Sequence, residues 1–179
     1  MSKKVLIIST SLRKNGNSDT LAKAFLQGAE RSGNAVEMIF LEGKTIGFCK
    51  GCLACQKTQK CVIRDDANVI TEKMRAAEVI VFATPVYYYE MSGQMKTLLD
   101  RANPLFSSDY AFRDVYLLTT AADVEDGTDA RAVSGLEGWI ECFPKARLAG
   151  TVFAGGVTDI GDIQGHEALR KAYAMGRSV

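Results

Sequence analysis

The chain has 179 residues, of which 47% are hydrophobic and 24% are charged, a composition typical of one soluble globular domain. The 22 basic and 21 acidic side chains nearly cancel, so no net field draws the chain to nucleic acid or to an anionic membrane. We therefore expect a single domain over residues 1–179, with neither nucleic acid nor membrane as a partner.

Five apolar runs of strand length alternate with helix-like stretches along the chain. The predicted strands are Val5–Ile8, Ala35–Leu41, Val79–Ala83, Val115–Leu118 and Ala149–Ala154. The predicted helices cover 20–33, 66–77, 91–103, 129–143 and 165–175. Continuous rather than alternating hydrophobicity is typical of strands that are covered on both faces, as in a parallel sheet. The order of elements therefore predicts a doubly wound α/β sandwich.

The apolar run that opens the chain is too short for the core of a secretion signal, and polar residues follow it directly. A cytoplasmic location is therefore expected. In that reducing compartment, closely spaced cysteines favour metal or redox chemistry over disulfide bonds.

A polar loop follows the first predicted strand and leads into the first predicted helix. It reads Ser9-Thr10-Ser11-Leu12-Arg13-Lys14-Asn15-Gly16-Asn17-Ser18. Hydroxyl groups, backbone N–H groups and the positive end of a helix dipole favour a phosphate, to which Arg13 can add a charge-assisted hydrogen bond. The glycine patterns of dinucleotide sites and P-loops are absent from it. The loop therefore predicts a monophosphate site, with an ordinary capped turn as the alternative.

The longest irregular stretch of the chain, residues 42–65, contains four cysteines. They are spaced Cys49-x2-Cys52-x2-Cys55-x5-Cys61, and thiolates this close in sequence can converge on one centre. The spacing is similar to that of the ligands of a [4Fe–4S] cluster. A zinc site and free thiols on a loop are the alternatives.

Aromatic residues follow the third predicted strand, in the segment Thr84-Pro85-Val86-Tyr87-Tyr88-Tyr89-Glu90. Ligands of open α/β sheets bind beyond the carboxyl ends of the strands, and tyrosine rings offer flat surfaces to a planar cofactor. Closure of the core, or a subunit contact, is the alternative. The loop that begins with Thr119 and Thr120 is expected to wall off the same crevice.

With these motifs in view, the chain resembles the NADPH-dependent FMN reductase group of flavodoxin-like proteins, and within it the iron–sulfur flavoproteins. The matching positions are Ser11, Arg13, Gly16, Asn17 and Ser18, the cysteine spacing with Asp65-Asp66, and the segment from Pro85 to Arg101. Thr10 and Leu12 depart from the Gly and Pro of the group. The resemblance implies a five-stranded parallel sheet in the order 2-1-3-4-5, FMN at the switch point of the sheet, and a homodimer or homotetramer.

The predicted FMN contacts come from the three loops. They are Ser9, Ser11, Arg13, Asn17, Ser18, Pro85, Val86, Tyr87, Tyr88, Thr119 and Thr120. The resemblance implies that electrons pass from NAD(P)H through FMN to a small acceptor such as a quinone or a flavin. Because the isoalloxazine ring carries that chemistry, no side chain is assigned a catalytic role.

Two alternative functions stay open. In the first, an iron–sulfur flavoprotein relays single electrons between FMN and a [4Fe–4S] cluster on Cys49, Cys52, Cys55 and Cys61, with a ferredoxin-like carrier as partner. In the second, the cysteine loop binds zinc and the chain has no redox turnover.

Overall fold

The computed structural model describes residues 2–179 as alternating strands and helices. The strands are β1 (Lys4–Ser9), β2 (Ala35–Phe40), β3 (Val79–Tyr87), β4 (Glu90–Met91), β5 (Asp114–Thr120) and β6 (Arg147–Ala154). The α-helices are α1 (Asn17–Arg31), α2 (Ala54–Thr58), α3 (Asp66–Ala76), α4 (Gly93–Arg101), α5 (Ala130–Ile140) and α6 (Glu167–Arg177). A short 3-10 helix covers Asn103–Leu105.

Five strands form a parallel sheet in the order β2-β1-β3-β5-β6. This confirms the predicted flavodoxin-like fold and the predicted order of its five main strands. The short β4 is an addition, and it pairs antiparallel with the end of β3. The direction of winding reverses between β1 and β3, so the loops that follow these two strands are neighbours at the switch point of the sheet.

Each face of the sheet has its own core, because successive side chains of a strand point to opposite faces. Ile7 and Val81 pack on one face with residues of α1 and α6. Ile8 and Phe82 pack on the other face with residues of α3, α4 and α5. All four side chains are fully buried, and burial of one such side chain contributes roughly 1.5–3 kcal/mol. The continuous apolar runs are explained by this burial on both sides.

Several observed boundaries differ from the predicted ones. Strand β3 continues to Tyr87, through residues that were predicted to form a loop after Ala83, because it pairs with β5 as far as Pro85 and then with β4. Helix α1 begins at Asn17 rather than at residue 20, because Ser18 and Asp19 turn their side chains inward to buried hydrogen-bond partners. Helix α2, inside the cysteine loop, was not predicted. Within residues 2–179, none of the helices combines the length and the apolar composition that crossing a bilayer requires.

Candidate functional site

A cleft of about 170 Å³ lies at the carboxyl end of the sheet, where the loops after β1, β3, β5 and β6 meet. Its walls are Ser11, Arg13, Gly16, Asn17, Ser18, Pro85, Val86, Tyr87, Thr120, Ala121, Ala122, Val157 and Thr158. None of these lining residues is acidic, and Arg13 is the one that carries a charge. The cleft therefore suits an anionic group better than a cationic one.

Helix α1 points its first turn at this cleft. Its N-cap residue, Gly16, makes no side-chain cap hydrogen bond, so the first N–H groups of the helix are left for another acceptor. The Arg13 N–H donates to Ser11 Oγ at 3.1 Å and shapes the preceding turn. A Cβ atom on Gly16 would lie 3.1 Å from both the Arg13 carbonyl oxygen and Ser11 Oγ. The tight turn and the uncapped helix together fit a phosphate group.

The loop after β6 closes the end of the cleft at which Arg13 lies. Arg13 Nη1 donates to the Thr158 carbonyl oxygen at 2.8 Å, and Asn17 Nδ2 donates to the Asp159 carbonyl oxygen at 2.9 Å. Asn17 Oδ1 also accepts from the Gly161 N–H at 3.3 Å. The Asn17 amide thus fastens this loop, while Arg13 keeps further N–H donors for an anion. Val157 and Thr158 line the cleft but were not predicted as site residues.

The hydroxyl groups predicted to bind FMN divide into two sets. Ser18 Oγ and Thr120 Oγ1 lie 2.7 Å apart at the cleft wall. Ser9 instead donates to Asp19, and Thr119 donates to Asp129 at 2.6 Å. Ser9 and Thr119 are fully buried and do not line the cleft. Alternation along β5 explains the difference, because Thr119 and Thr120 face opposite sides of the sheet.

The aromatic segment forms a tight hairpin between β3 and β4. Tyr87 pairs with Glu90, and the two residues between them, Tyr88 and Tyr89, have φ angles of 51° and 65°. Positive φ at both central residues is typical of a type I′ turn, which glycine or asparagine normally occupies. Such strain, of order 1–3 kcal/mol per residue, tends to occur at ligand sites. Tyr87 lines the cleft, whereas Tyr88 is 96% exposed and does not.

Buried hydroxyl groups join the loop after β1 to β3 and to the start of α4. Thr10 Oγ1 lies 2.9 Å from Ser92 Oγ, and the Ser92 N–H donates to Thr84 Oγ1 at 3.0 Å. Ser92 also caps α4, because its Oγ accepts from the Met95 N–H at 3.3 Å. The loop after β1 and strand β3 are therefore held together at the start of α4.

The structure does not bring the four cysteines of the loop together. Cys49 and Cys52 are exposed, Cys61 is partly exposed, and Cys55 is buried, with its Sγ accepting from Asn103 Nδ2 at 3.1 Å. Among residues 2–179, no three His, Cys, Asp or Glu side chains are grouped so that they could hold a metal ion. Helix α2 turns Cys55 toward the protein while the preceding cysteines stay at the surface. In this arrangement the four thiols are separate and do not form a metal-binding group.

The switch point, the cleft without acidic residues and the aromatic hairpin define a flavodoxin-like protein with a site for a phosphorylated planar cofactor. The family model of the NADPH-dependent FMN reductases matches residues 3–154. The chain therefore belongs to this family and is an oxidoreductase. Membership supports FMN as the cofactor and a nicotinamide as the donor, and it gives no support to a zinc module without redox activity.

Individual relatives agree with this assignment. An iron–sulfur flavoprotein of Methanosarcina thermophila is 30% identical over 156 residues, which are 87% of this chain and 82% of the relative. An iron–sulfur flavoprotein of Methanocaldococcus jannaschii is 39% identical over 102 residues, 57% of this chain, and the alignment spans about half of that relative (53%). Among solved structures, an NAD(P)H:quinone oxidoreductase of Methanothermobacter marburgensis shares the fold, with a TM-score of 0.72, 16% identity, and coverage of 99% of this chain and 97% of that one.

Proposed function

We propose that the chain binds FMN in the cleft, takes electrons from NAD(P)H and passes them to a small acceptor such as a quinone or a flavin. The observation that carries this proposal is the placement of an uncapped helix N-terminus and an aromatic hairpin on one cleft that has no acidic residue. When bound, FMN supplies the redox chemistry, because its ring accepts a hydride or single electrons.

The residues of the chain bind and orient the cofactor. The first turn of α1 and Arg13 would hold the phosphate, with Ser11 and Ser18 beside it, and these contacts are electrostatic and hydrogen-bonding in character. Pro85, Val86 and Tyr87 would lie against the ring. None of the lining side chains is a carboxylate, histidine, lysine or cysteine, which agrees with a protein that orients the ring and leaves proton transfer to it.

The small volume of the cleft has a consequence for the oligomeric state. At about 170 Å³, it is smaller than the roughly 300–1,000 Å³ of pockets that enclose a whole drug-sized ligand. One face of the ring would therefore stay accessible to a donor and an acceptor. The exposed Tyr88 beside the cleft is available to a second subunit, so the proposal includes a homodimer or homotetramer whose interface helps cover the flavin and leaves room for the donor and the acceptor.

The experiment is a spectroscopic titration of anaerobically purified protein. We expect bound FMN, visible as oxidised flavin bands, which bleach when NADPH or NADH is added and return when a quinone is added. A comparison of the two bleaching rates identifies the preferred donor. Protein that neither contains FMN nor takes it up when FMN is supplied would contradict the proposal.

A second candidate function is that of an iron–sulfur flavoprotein that exchanges single electrons with a ferredoxin-like carrier. It is favoured by the confinement of Cys49, Cys52, Cys55 and Cys61 to one loop and by the printed names of the relatives above. Iron, zinc and acid-labile sulfide are measured on the same anaerobic preparation. About four irons and four sulfides per chain support the cluster, and zinc or no metal contradicts it while leaving the FMN proposal intact.

A further inference from the structure

Arg101, the last residue of α4, has a side chain with no exposed surface. Its Nη1 donates to Asp65 Oδ2 at 2.6 Å and to the Gly47 carbonyl oxygen at 2.7 Å. Its Nη2 donates to Asp65 Oδ1 at 2.8 Å and to the Ile63 carbonyl oxygen at 3.1 Å. One guanidinium group thus makes a two-pronged ion pair and binds two backbone carbonyls.

These partners stand at the two ends of the cysteine loop. Gly47 lies two residues before Cys49, and Ile63 lies two residues after Cys61. We call the place where these two ends meet on Arg101 the neck of the loop. The Asp65 carboxylate also joins the two ends, because it accepts from the Gly47 N–H at 2.8 Å and from the Ala67 N–H, in the first turn of α3, at 3.1 Å. All four cysteines of the loop are therefore held between two segments that meet on Arg101.

The contacts need the shape of a guanidinium group and not only its charge. A charge this deeply buried destabilises the fold unless it is paired and hydrogen-bonded. Arg101 meets that demand with both Nη atoms, while its buried Nε has no hydrogen-bond partner. A lysine ammonium is a point charge and cannot reproduce the planar fork to Asp65. The position therefore requires the planar guanidinium group of an arginine.

Helix α4 connects this neck to the FMN cleft. Its N-cap, Ser92, is hydrogen-bonded to Thr10 in the loop after β1 and to Thr84 in β3, and its last residue is Arg101. The nine residues of the helix, Gly93–Arg101, form a rigid rod of roughly 13 Å, at about 1.5 Å per residue. One helix therefore fixes the distance between the cleft and the neck of the cysteine loop.

We infer that Arg101 is a positioning residue: it holds the cysteine loop closed and keeps it at a set place relative to the FMN cleft. It acts on the loop through the Gly47 and Ile63 carbonyl oxygens and through the Asp65 carboxylate. The inference concerns the order of the loop in the chain itself and holds whether or not the thiols bind a metal. It is therefore tested separately from the proposed function.

The test measures the alkylation rate of each cysteine by mass spectrometry, on full-length protein loaded with FMN, reduced and freed of metal by a chelator. We compare wild type with Arg101→Lys and with the double variant Asp65→Asn/Arg101→Met, which removes both buried charges together and so avoids an unpaired one. In both variants we expect Cys55, which is 8% exposed in the wild type, to react at least about tenfold faster, since each tenfold corresponds to about 1.4 kcal/mol of lost protection.

The chain offers two matched controls. Cys142 is exposed and follows α5, outside the loop, so its rate is the internal reference for reagent reactivity, while FMN content and far-UV circular dichroism report the general state of the fold. Lys96→Gln removes the exposed ion pair of Lys96 with Asp100 on the same helix and should leave every rate unchanged. A loop that opens alone gives a faster Cys55 at constant Cys142 rate and constant FMN content.

Two results would overturn the inference. The first is an unchanged Cys55 rate in both Arg101 variants, which would show that the neck does not hold the loop. The second is a faster Cys55 accompanied by loss of FMN and of circular dichroism signal, which would show a merely structural role in the whole fold. A wild-type protein that fails to bind FMN would contradict the proposed function and would leave the alkylation comparison valid.

Discussion

Replacing Arg13 by Ala removes the one charged side chain that lines the cleft. In the structure the guanidinium is anchored to the Thr158 carbonyl oxygen at 2.8 Å, and this contact sets it beside the uncapped start of α1. A charge-assisted hydrogen bond contributes roughly 1.5–3 kcal/mol. Because Arg13 is exposed, water screens the interaction, and we take its contribution to the free energy of FMN binding as about 1–2 kcal/mol. The expected loss of FMN affinity is therefore about 5- to 30-fold.

The assay is a titration of the apoprotein with FMN and, separately, with riboflavin, followed by flavin fluorescence. Riboflavin carries the same ring without the phosphate, so its affinity should not change in the Arg13 variant. Lys14→Ala is the control, because Lys14 is the neighbouring base, pairs with Glu42 at 3.7 Å and does not line the cleft. An equal loss for both ligands, or no loss for FMN, would refute the placement of the phosphate.

Three further predictions concern other parts of the molecule. Gly176→Ala places a Cβ atom 2.1 Å from the Phe25 carbonyl oxygen, so the free energy of unfolding should fall by about 1–3 kcal/mol in urea titrations. Gly138→Ala on α5 is the control, because nothing lies near its Cβ position and the free energy of unfolding should not fall. Equal urea midpoints for the two variants would contradict the prediction. Burial raises the pKa of Asp65, but hydrogen bonds from Arg101 and the Gly47 N–H outweigh burial and hold that pKa below its usual value. The ionised carboxylate therefore stabilises the fold above its unfolded pKa of about 3.9, and this stabilisation is lost as pH falls through the lower folded value. The stability difference between wild type and Asp65→Asn should accordingly shrink below about pH 4, and a difference that is constant from pH 7 to pH 3 would speak against the pair. Finally, Cys52→Ser should abolish any bound iron and sulfide while FMN stays bound, and full retention of iron would count against Cys52 as a ligand.

The sheet could be predicted from the sequence because its three central strands, β1, β3 and β5, are buried on both faces and read as continuous apolar runs. The edge strands β2 and β6 are only partly buried but carry apolar runs of the same length, and the family resemblance supplied the order of the strands. The hairpin after β3 could not be predicted, because Thr84-Pro85 resembles the start of a loop and Tyr88-Tyr89 lacks the Asn-Gly signal of a type I′ turn. Its stability depends on the pairing of Val86 with Met91, a contact that local propensity does not reveal.

The candidate site, like the sheet, could be predicted from the sequence only in part. Ser11, Arg13 and Ser18 could be predicted to line a cleft, since a polar loop between a buried strand and a helix has a known place in this fold. The loop around Thr158 could not, because it reaches the cleft through hydrogen bonds between residues more than 140 positions apart in the chain. The spacing of the cysteines likewise indicates that their thiols could converge on a metal. It does not reveal the direction in which helix α2 orients each thiol.

Helices α1 and α6 touch backbone to backbone, and a Cβ atom on Gly28 of α1 would lie 2.1 Å from the Tyr173 carbonyl oxygen of α6. Helix α6 lies beyond residue 154, where the family match ends. A segment outside the region matched by the family model therefore packs directly against the helix whose first turn faces the cleft. We expect a bulkier side chain at this crossing to displace α1, so that affinity for the proposed phosphate group would change although no residue lining the cleft is substituted.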